Sequence, residues 1–386
     1  MRIRNLALLL LLTLAAPAFA DTQAAWTWTP VLNKMTDQRW APSCCLLAGG
    51  AACLIAGGYS YQYGWCVPSA DIYDESKNKF IEQPGRLHTP RNFATATLLL
   101  DGNVLIAGGF NDSLGSLDTA ELFNPLSGTF TQLGQNMSMP RELHTATALA
   151  DGKVLIVGGL DLRVRHTLNS AEIYDPASRS FQFTDQTMAT DRFGHAACLL
   201  TDGAVLIVGG TSVLFGKNGY AHVLASAEVY DPATEHFSAT KSDMTIGRDR
   251  PTANLLPDGR VLIAGGQGED GKSINYSEIY DPKTQTFSAL AGSQITDRMA
   301  HSTGALPDGH LLLTGGWCAT AKSTTTNVEE FDPVSLTFKP DPPLPFSSHD
   351  AAQVVFPDGL VLVTGGKSVD TKNNSTSIAA GEIARP

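Results

Sequence analysis

The sequence predicts an all-β chain folded as a seven-bladed β-propeller, with four antiparallel strands per blade and an N-terminal strand closing the last blade. Three observations carry this. Paired glycines recur at Gly57-Gly58, Gly108-Gly109, Gly158-Gly159, Gly209-Gly210, Gly265-Gly266, Gly315-Gly316 and Gly365-Gly366, at spacings of 51, 50, 51, 56, 50 and 50 residues. A period near 50 marks a propeller rather than a solenoid. An Asp-Gly pair precedes six of the seven glycine pairs, and an aromatic residue recurs seven positions after another in six of the units.

Each unit holds four strand signals. Strand a is represented by "HTATALA" from His144, where small and apolar residues alternate. The Asp-Gly pairs follow, at Asp101, Asp151, Asp202, Asp258, Asp308 and Asp358. They predict two-residue type I′ turns, in which both central positions take positive φ. Strand b, "VLIVGG" from Val154, is apolar on both faces, so its sheet is buried on both sides. The glycines let the chain leave the strand where a β-carbon would clash. Strand c is "AEIYDP" from Ala171, and Asp-Pro opens the next turn. Strand d carries the second aromatic: Tyr73/Phe80, Phe123/Phe130, Tyr174/Phe181, Tyr230/Phe237, Tyr280/Phe287 and Phe331/Phe338. Four strands repeated radially pack each blade on its neighbours. The last unit ends after "AGEIARP", which matches strand c, so the N-terminal "AWTWTP" is expected to supply the missing outer strand.

Residues 1–20 read as a secretory signal peptide: a basic start at Arg2 and Arg4, an apolar run, and an Ala18-Phe19-Ala20 cleavage site. Residues 21–386 then form a single exported propeller, periplasmic or extracellular, expected to be monomeric. No later run has the length of a membrane span. Without Arg2 and Arg4 the chain has 25 basic and 38 acidic side chains, a formal charge of −13. That surface argues against nucleic acid and anionic membranes as partners. Six cysteines in so long a chain leave stabilisation to the apolar core.

The double glycine, the Glu-x-Tyr of strand c and the aromatic seven residues later resemble kelch repeats across nearly all of the expected mature chain. Strand d departs from that family in carrying Phe where Trp is usual. The resemblance implies the propeller fold and an arginine in the repeat that is able to hold acidic partners. It also implies two enzymatic alternatives: an exported sialic acid epimerase-like activity, and a galactose oxidase-like one that uses copper. No adjacent Tyr-His pair of the copper type occurs here.

A residue repeated in every blade points to architecture, whereas a unique one points to function. An arginine lies ten residues before the Asp-Gly turn as Arg91, Arg141, Arg192, Arg248 and Arg298, with Arg39 in blade 1 and Ser348 in its place in blade 7. One reading is a bridge between blades, made to the strand-c acids Asp71, Glu121, Glu172, Glu228, Glu278, Glu329 and Glu382. The other is a ring of guanidinium donors around the axial mouth. His144, His195 and His301 share one repeat position but spread around the axis. They are expected to pack rather than to bind metal.

The b–c and d–a loops share one face and vary between blades, the usual arrangement for recognition. Blade 1 offers Tyr59, Tyr61, Tyr63 and Trp65, and blade 6 offers Trp317. The predicted ligand-binding set is Tyr61, Tyr63, Trp65, Trp317, the five arginines above, Arg250 and His349. "GWC" occurs twice, and Cys66–Cys318 is a candidate disulfide across the closure region, with Cys44 and Cys53 a second possible pair. The chain has no G-x-S-x-G, H-E-x-x-H, Walker or EF-hand motif. The reading is a non-catalytic propeller without cofactor or metal that recognises a glycan or an exported or cell-surface protein. Its alternatives are a sugar-processing enzyme using Glu142, Asp249, His349 and Asp350, and a structural envelope subunit.

Overall fold

Strand b is the inner apolar element of every sheet. Successive side chains of a strand point to opposite faces, so a run such as Val154–Val157 feeds two different cores. A computed structural model describes residues 26–214, 220–293 and 296–385, and in it seven four-stranded sheets form a ring. The expected signal peptide lies outside the described residues. Leu155 and Val157 pack towards blade 4 beside Val205 and Ile207, while Val154 and Ile156 pack back on Leu105 and Ala107 of blade 2. Seven such apolar clusters alternate with the blades.

Blade 3 shows the repeat. Its strands are Thr145–Ala148, Val154–Val157, Ala171–Asp175 and Ser180–Phe183, in that spatial order. The seven-residue aromatic spacing has a simple cause. Tyr174 and Phe181 stand opposite each other across the c–d hairpin, with ring centroids 4.9 Å apart. The b–c loops are small hairpins in their own right, such as Tyr59–Ser60 with Trp65–Cys66. The ring closes as expected: Thr29 and Pro30 pair with Ile383 and Glu382, giving blade 7 its outer strand. Trp26 and Trp28 anchor that strand, and the Trp28 indole donates to the Pro342 carbonyl at 2.8 Å.

The a–b turns differ from the expected type. Gly102 has φ 84°, whereas Asp101 is not in the positive-φ region. Gly102 N–H donates to the Leu99 carbonyl, and Leu99 N–H to the Asn103 carbonyl. The loop is therefore three residues long, a type I turn followed by a glycine in the left-handed region. The Asp101 carboxylate accepts from the Asn103 N–H at 3.0 Å, which explains aspartate there without a positive φ. The paired glycines behave as the sequence implied. A β-carbon on Gly158 would lie 2.5 Å from the Arg192 carbonyl oxygen of the next blade.

The repeated arginine is a rivet between blades. Arg141 N–H donates to the Leu117 carbonyl of blade 2, and its own carbonyl accepts from Gly109 of blade 2. Its side chain runs the other way, into blade 3. There Nη1 donates to the Gly158 and Ser170 carbonyls, and Nη2 to Glu172 at 2.8 Å. Both charged side chains are fully buried. Removing one partner of a buried ion pair strands the other, at a cost of about 3–5 kcal/mol. Arg141→Met is accordingly expected to lower the unfolding free energy by about that amount in a denaturant titration, and Arg141→Met with Glu172→Leu to regain part of it. An unchanged midpoint for Arg141→Met would mean that the rivet does not hold the ring.

Candidate functional site

The two residues after each rivet build the axial mouth. The first pairs with the residue that follows the double glycine: Trp40 with Tyr59, Glu142 with Leu160, Asp249 with Gln267, Met299 with Trp317, and His349 with Lys367. The second is Ala41, Phe93, Leu143, Gly194, Arg250, Ala300 or Asp350, and all seven take φ between 49° and 62°. Most of these are not glycine, so the left-handed backbone is a local strain that the surroundings impose. The reason is main-chain bonding around the axis. Gly194 N–H donates to the Leu143 carbonyl, Arg250 to Gly194, Ala300 to Arg250, and Asp350 to Ala300, at 2.8–3.3 Å. The ring tops a channel space of about 310 Å³.

Asp350 is the hub of the mouth. Arg250 reaches across from blade 5 and donates from Nη1 to both carboxylate oxygens at 3.1 Å. The Trp40 indole N–H donates to Oδ2 at 3.0 Å, and His349 Nδ1 lies 2.8 Å from the same oxygen. Burial opposes charge on Asp350, yet Arg250, His349 and Trp40 together hold its carboxyl well below the usual carboxylate range. Arg250 is raised in turn: burial works against it, and Asp350 and Asp249 outweigh that. Glu142 behaves differently. Burial pushes it up to about 7, against the pull of Arg250 and with the help of Asp161. Burial also raises Asp249.

An aromatic arc flanks the hub. Trp317, His349, Trp40 and Tyr61 follow one another across blades 6, 7 and 1, with ring centroids 6.3, 6.1 and 5.9 Å apart. Phe93 meets Trp40 edge-on at 5.1 Å and carries the Arg250 guanidinium over its face at 5.3 Å. Lys367 Nζ lies 5.1 Å from both the Trp40 and the Tyr61 ring centres. Cations over ring faces of this kind are held electrostatically.

Of the predicted ligand set, Tyr61, Trp317, Arg250 and His349 converge here. Tyr63 and Trp65 stack on each other at 5.8 Å on the blade 1 hairpin, exposed and outside this cluster. The repeated arginines Arg91, Arg141, Arg192, Arg248 and Arg298 are a correction. Each is 0% exposed, with its terminal Nη groups bonded to its acid and to main-chain carbonyls, so none presents a guanidinium to a ligand. The Cys66–Cys318 pairing is a second correction, since all six thiols are free. The hairpin registers turn the two sulfurs into different interfaces: Cys66 Sγ towards Asn92 of blade 2, and Cys318 Sγ onto Asp297 at 3.0 Å. Cys44 and Cys53 are likewise free thiols; Cys53 stands opposite Leu46 and diagonal to Cys44 on the same face, where the two thiols hydrogen-bond.

Phe93 and Lys367 escaped the sequence reading. Aligning the units at the second position after the arginine separates Phe93, Arg250 and Asp350 from Ala41, Leu143, Gly194 and Ala300 of the other blades. A cavity of about 450 Å³ lies elsewhere, among the Asp202, Asp258 and Asp281 turns of the opposite face. Those turns recur in most blades, which marks them as scaffold.

No family model matches the sequence, and no curated protein matches it. Among solved structures, the chain is similar to a fungal alcohol oxidase of the AA5 family in complex with copper, with a TM-score of 0.68 at 17% identity. The match covers 94% of this chain and 76% of that one. At that identity the likeness shows a shared propeller fold.

The strand-a histidines set the acid limit of the ring. His144 and His195 approach Thr95 and Thr145 of the preceding blades at 3.1 and 2.9 Å through Nε2. Burial first, and the neighbouring Arg141 second, push His144 down to about 3. An unfolded histidine titrates near 6.5, so between about 6.5 and 3 the unfolded chain binds the extra proton. The stability that His144 contributes is complete above about 6.5 and is lost as pH falls through that window. Glu142, raised by burial, acts with the opposite sign. The clean comparison is therefore between variants: acidification from pH 7.5 to 4.5 should destabilise the wild type more than His144→Gln in denaturant titrations. Equal losses would show that His144 is not held neutral.

Proposed function

We propose that the chain is an exported, kelch-type binding propeller that takes a neutral saccharide ring at its axial mouth. The observation that carries this is the joining of the Trp317–His349–Trp40–Tyr61 arc to the Asp350–Arg250 hub. Aromatic faces suit the C–H faces of sugar rings, and a few fixed polar groups beside them give orientation. Charge at the hub is internally paired, which favours hydroxyl groups over a net ion. Lys367 and Glu142 stand within the same mouth as further donors and acceptors.

Titration of the chain against a panel of neutral and acidic sugars tests this. Trp317→Ala and Trp40→Ala are expected to weaken binding at least about tenfold, and Trp65→Ala to leave it unchanged. Equal loss in Trp65→Ala would move the ligand to the outer crest of blade 1. Absence of any sugar binding would move the reading to an exported protein partner.

One observation favours a second reading, a sugar-processing mouth. Glu142, held at about 7 by burial, sits in the range that suits a general acid or base. The fold-level likeness to an AA5 oxidase is compatible with it. The copper of that oxidase does not fit the residues here. Among the described residues, no group of three or more His, Cys, Asp or Glu side chains is arranged to hold a metal. Copper favours imidazole nitrogens, and His349 at the mouth has its Nδ1 engaged by Asp350. If Glu142 acts as a base, turnover of the bound sugar rises with pH through about 7, and Glu142→Gln lowers it at least about a hundredfold. A flat pH profile, with full activity in Glu142→Gln, would remove this reading.

A further inference from the structure

Blade 7 breaks the pattern that rivets the other six. We propose that it carries a binding site for a small organic cation, a guanidinium or primary ammonium group, formed by the Glu382 carboxylate and the main-chain carbonyls of Gly365 and Ala380. This site is separate from the saccharide mouth and does not rest on that reading.

The six intact blades define what the site accepts. In each, guanidinium Nη1 donates to the carbonyl of the first paired glycine and to the carbonyl two residues before the acid, while Nη2 donates to the acid. Arg248, for example, bonds Gly265, Tyr276 and Glu278, each at 2.9 Å. The blade 7 counterparts are Gly365, Ala380 and Glu382. The strand register is the same: Val363 pairs with Glu382 as Ile156 pairs with Glu172.

Ser348 stands at the arginine position with the scaffold around it intact. Its carbonyl accepts from Gly316 N–H at 2.7 Å, as that of Arg192 accepts from Gly159 at 2.8 Å. Its β-carbon lies 3.0 Å from the ideal β-carbon position of Gly366, as that of Arg141 does at Gly159. Only the side chain differs. Glu382 Oε2 and Ser348 Oγ are both buried and both lack a hydrogen-bond partner.

The acid has lost a main-chain donor as well. In blade 3 the N–H groups of Ser138 and Met139, three and two residues before the arginine, donate to Glu172 at 2.7 and 3.2 Å. The blade 7 counterpart of Ser138 is Pro345, which has no N–H. Burial accordingly raises Glu382 above its ordinary value. The Thr364 hydroxyl donates to the Ala380 carbonyl at 2.8 Å and leaves that oxygen a second lone pair. A buried carboxylate oxygen without a donor favours a cation that supplies one. Three acceptors match the N–H groups of a guanidinium or ammonium, and are too few for the six to eight oxygens of calcium.

Thermal melting of the chain with methylguanidinium, against NaCl at equal ionic strength, tests the site. A saturable rise in Tm of about 1–3 °C is expected for the wild type. Glu382→Gln should abolish the rise, and Ser348→Arg should abolish it while raising Tm by itself. No rise over NaCl in the wild type would overturn the proposal. So would a rise that survives Glu382→Gln, or a fall in Tm for Ser348→Arg, which would show that other side chains fill the arginine path.

Discussion

The ring depends on one interaction, the buried arginine whose main chain belongs to one blade and whose guanidinium belongs to the next. A propeller blade buries both faces against its neighbours, so the angle between blades is set by what crosses the gap. Apolar packing is non-directional and tolerates slippage. The arginine is directional. Its guanidinium meets two carbonyls and a carboxylate, and its backbone is held by the preceding blade. Desolvating such a pair contributes little net stability against an apolar substitute, and its value here is geometric. Blade 7 lacks the rivet and is closed instead by the strand at Thr29–Pro30 and by the indoles of Trp26 and Trp28.

The rivet also explains how a repetitive scaffold carries a unique mouth. The two residues after it are held by main-chain bonds, one to the b–c hairpin and one to the ring around the axis. Their side chains are left free to vary without disturbing the blade. The result places a Trp, a Phe, a Glu, an Arg and a His-Asp pair around one opening. Arg250 and Asp350 then meet across the axis, and that bond draws Trp40 and His349 into the same cluster.

Much of this was legible in the repeat. The glycine period, the apolar runs and the aromatic spacing each have a strand-level cause, so blade number, strand order and closure followed from them. The a–b turn was misassigned because Asp-Gly suits both a type I′ turn and a type I turn with a left-handed glycine. The pair alone does not distinguish them; the loop length does. The arginines were read two ways, and burial decided between the readings. Cys66 and Cys318 both follow Gly-Trp, but hairpin register aims their sulfurs into separate interfaces.

The sequence by itself determined the architecture and which positions are scaffold, because repetition reports local constraints that every blade shares. It also marked the loop face as the variable one. Only the tertiary structure decided which variable residues meet. Trp40, Arg250 and Asp350 are separated by 210 and 100 positions, and although they hold neighbouring repeat positions, the repeat does not say that their side chains meet. Closing the ring brings blades 1, 5 and 7 to a common axis, and the charge of Asp350 and the neutrality that burial favours in Glu142 near pH 7 exist only there.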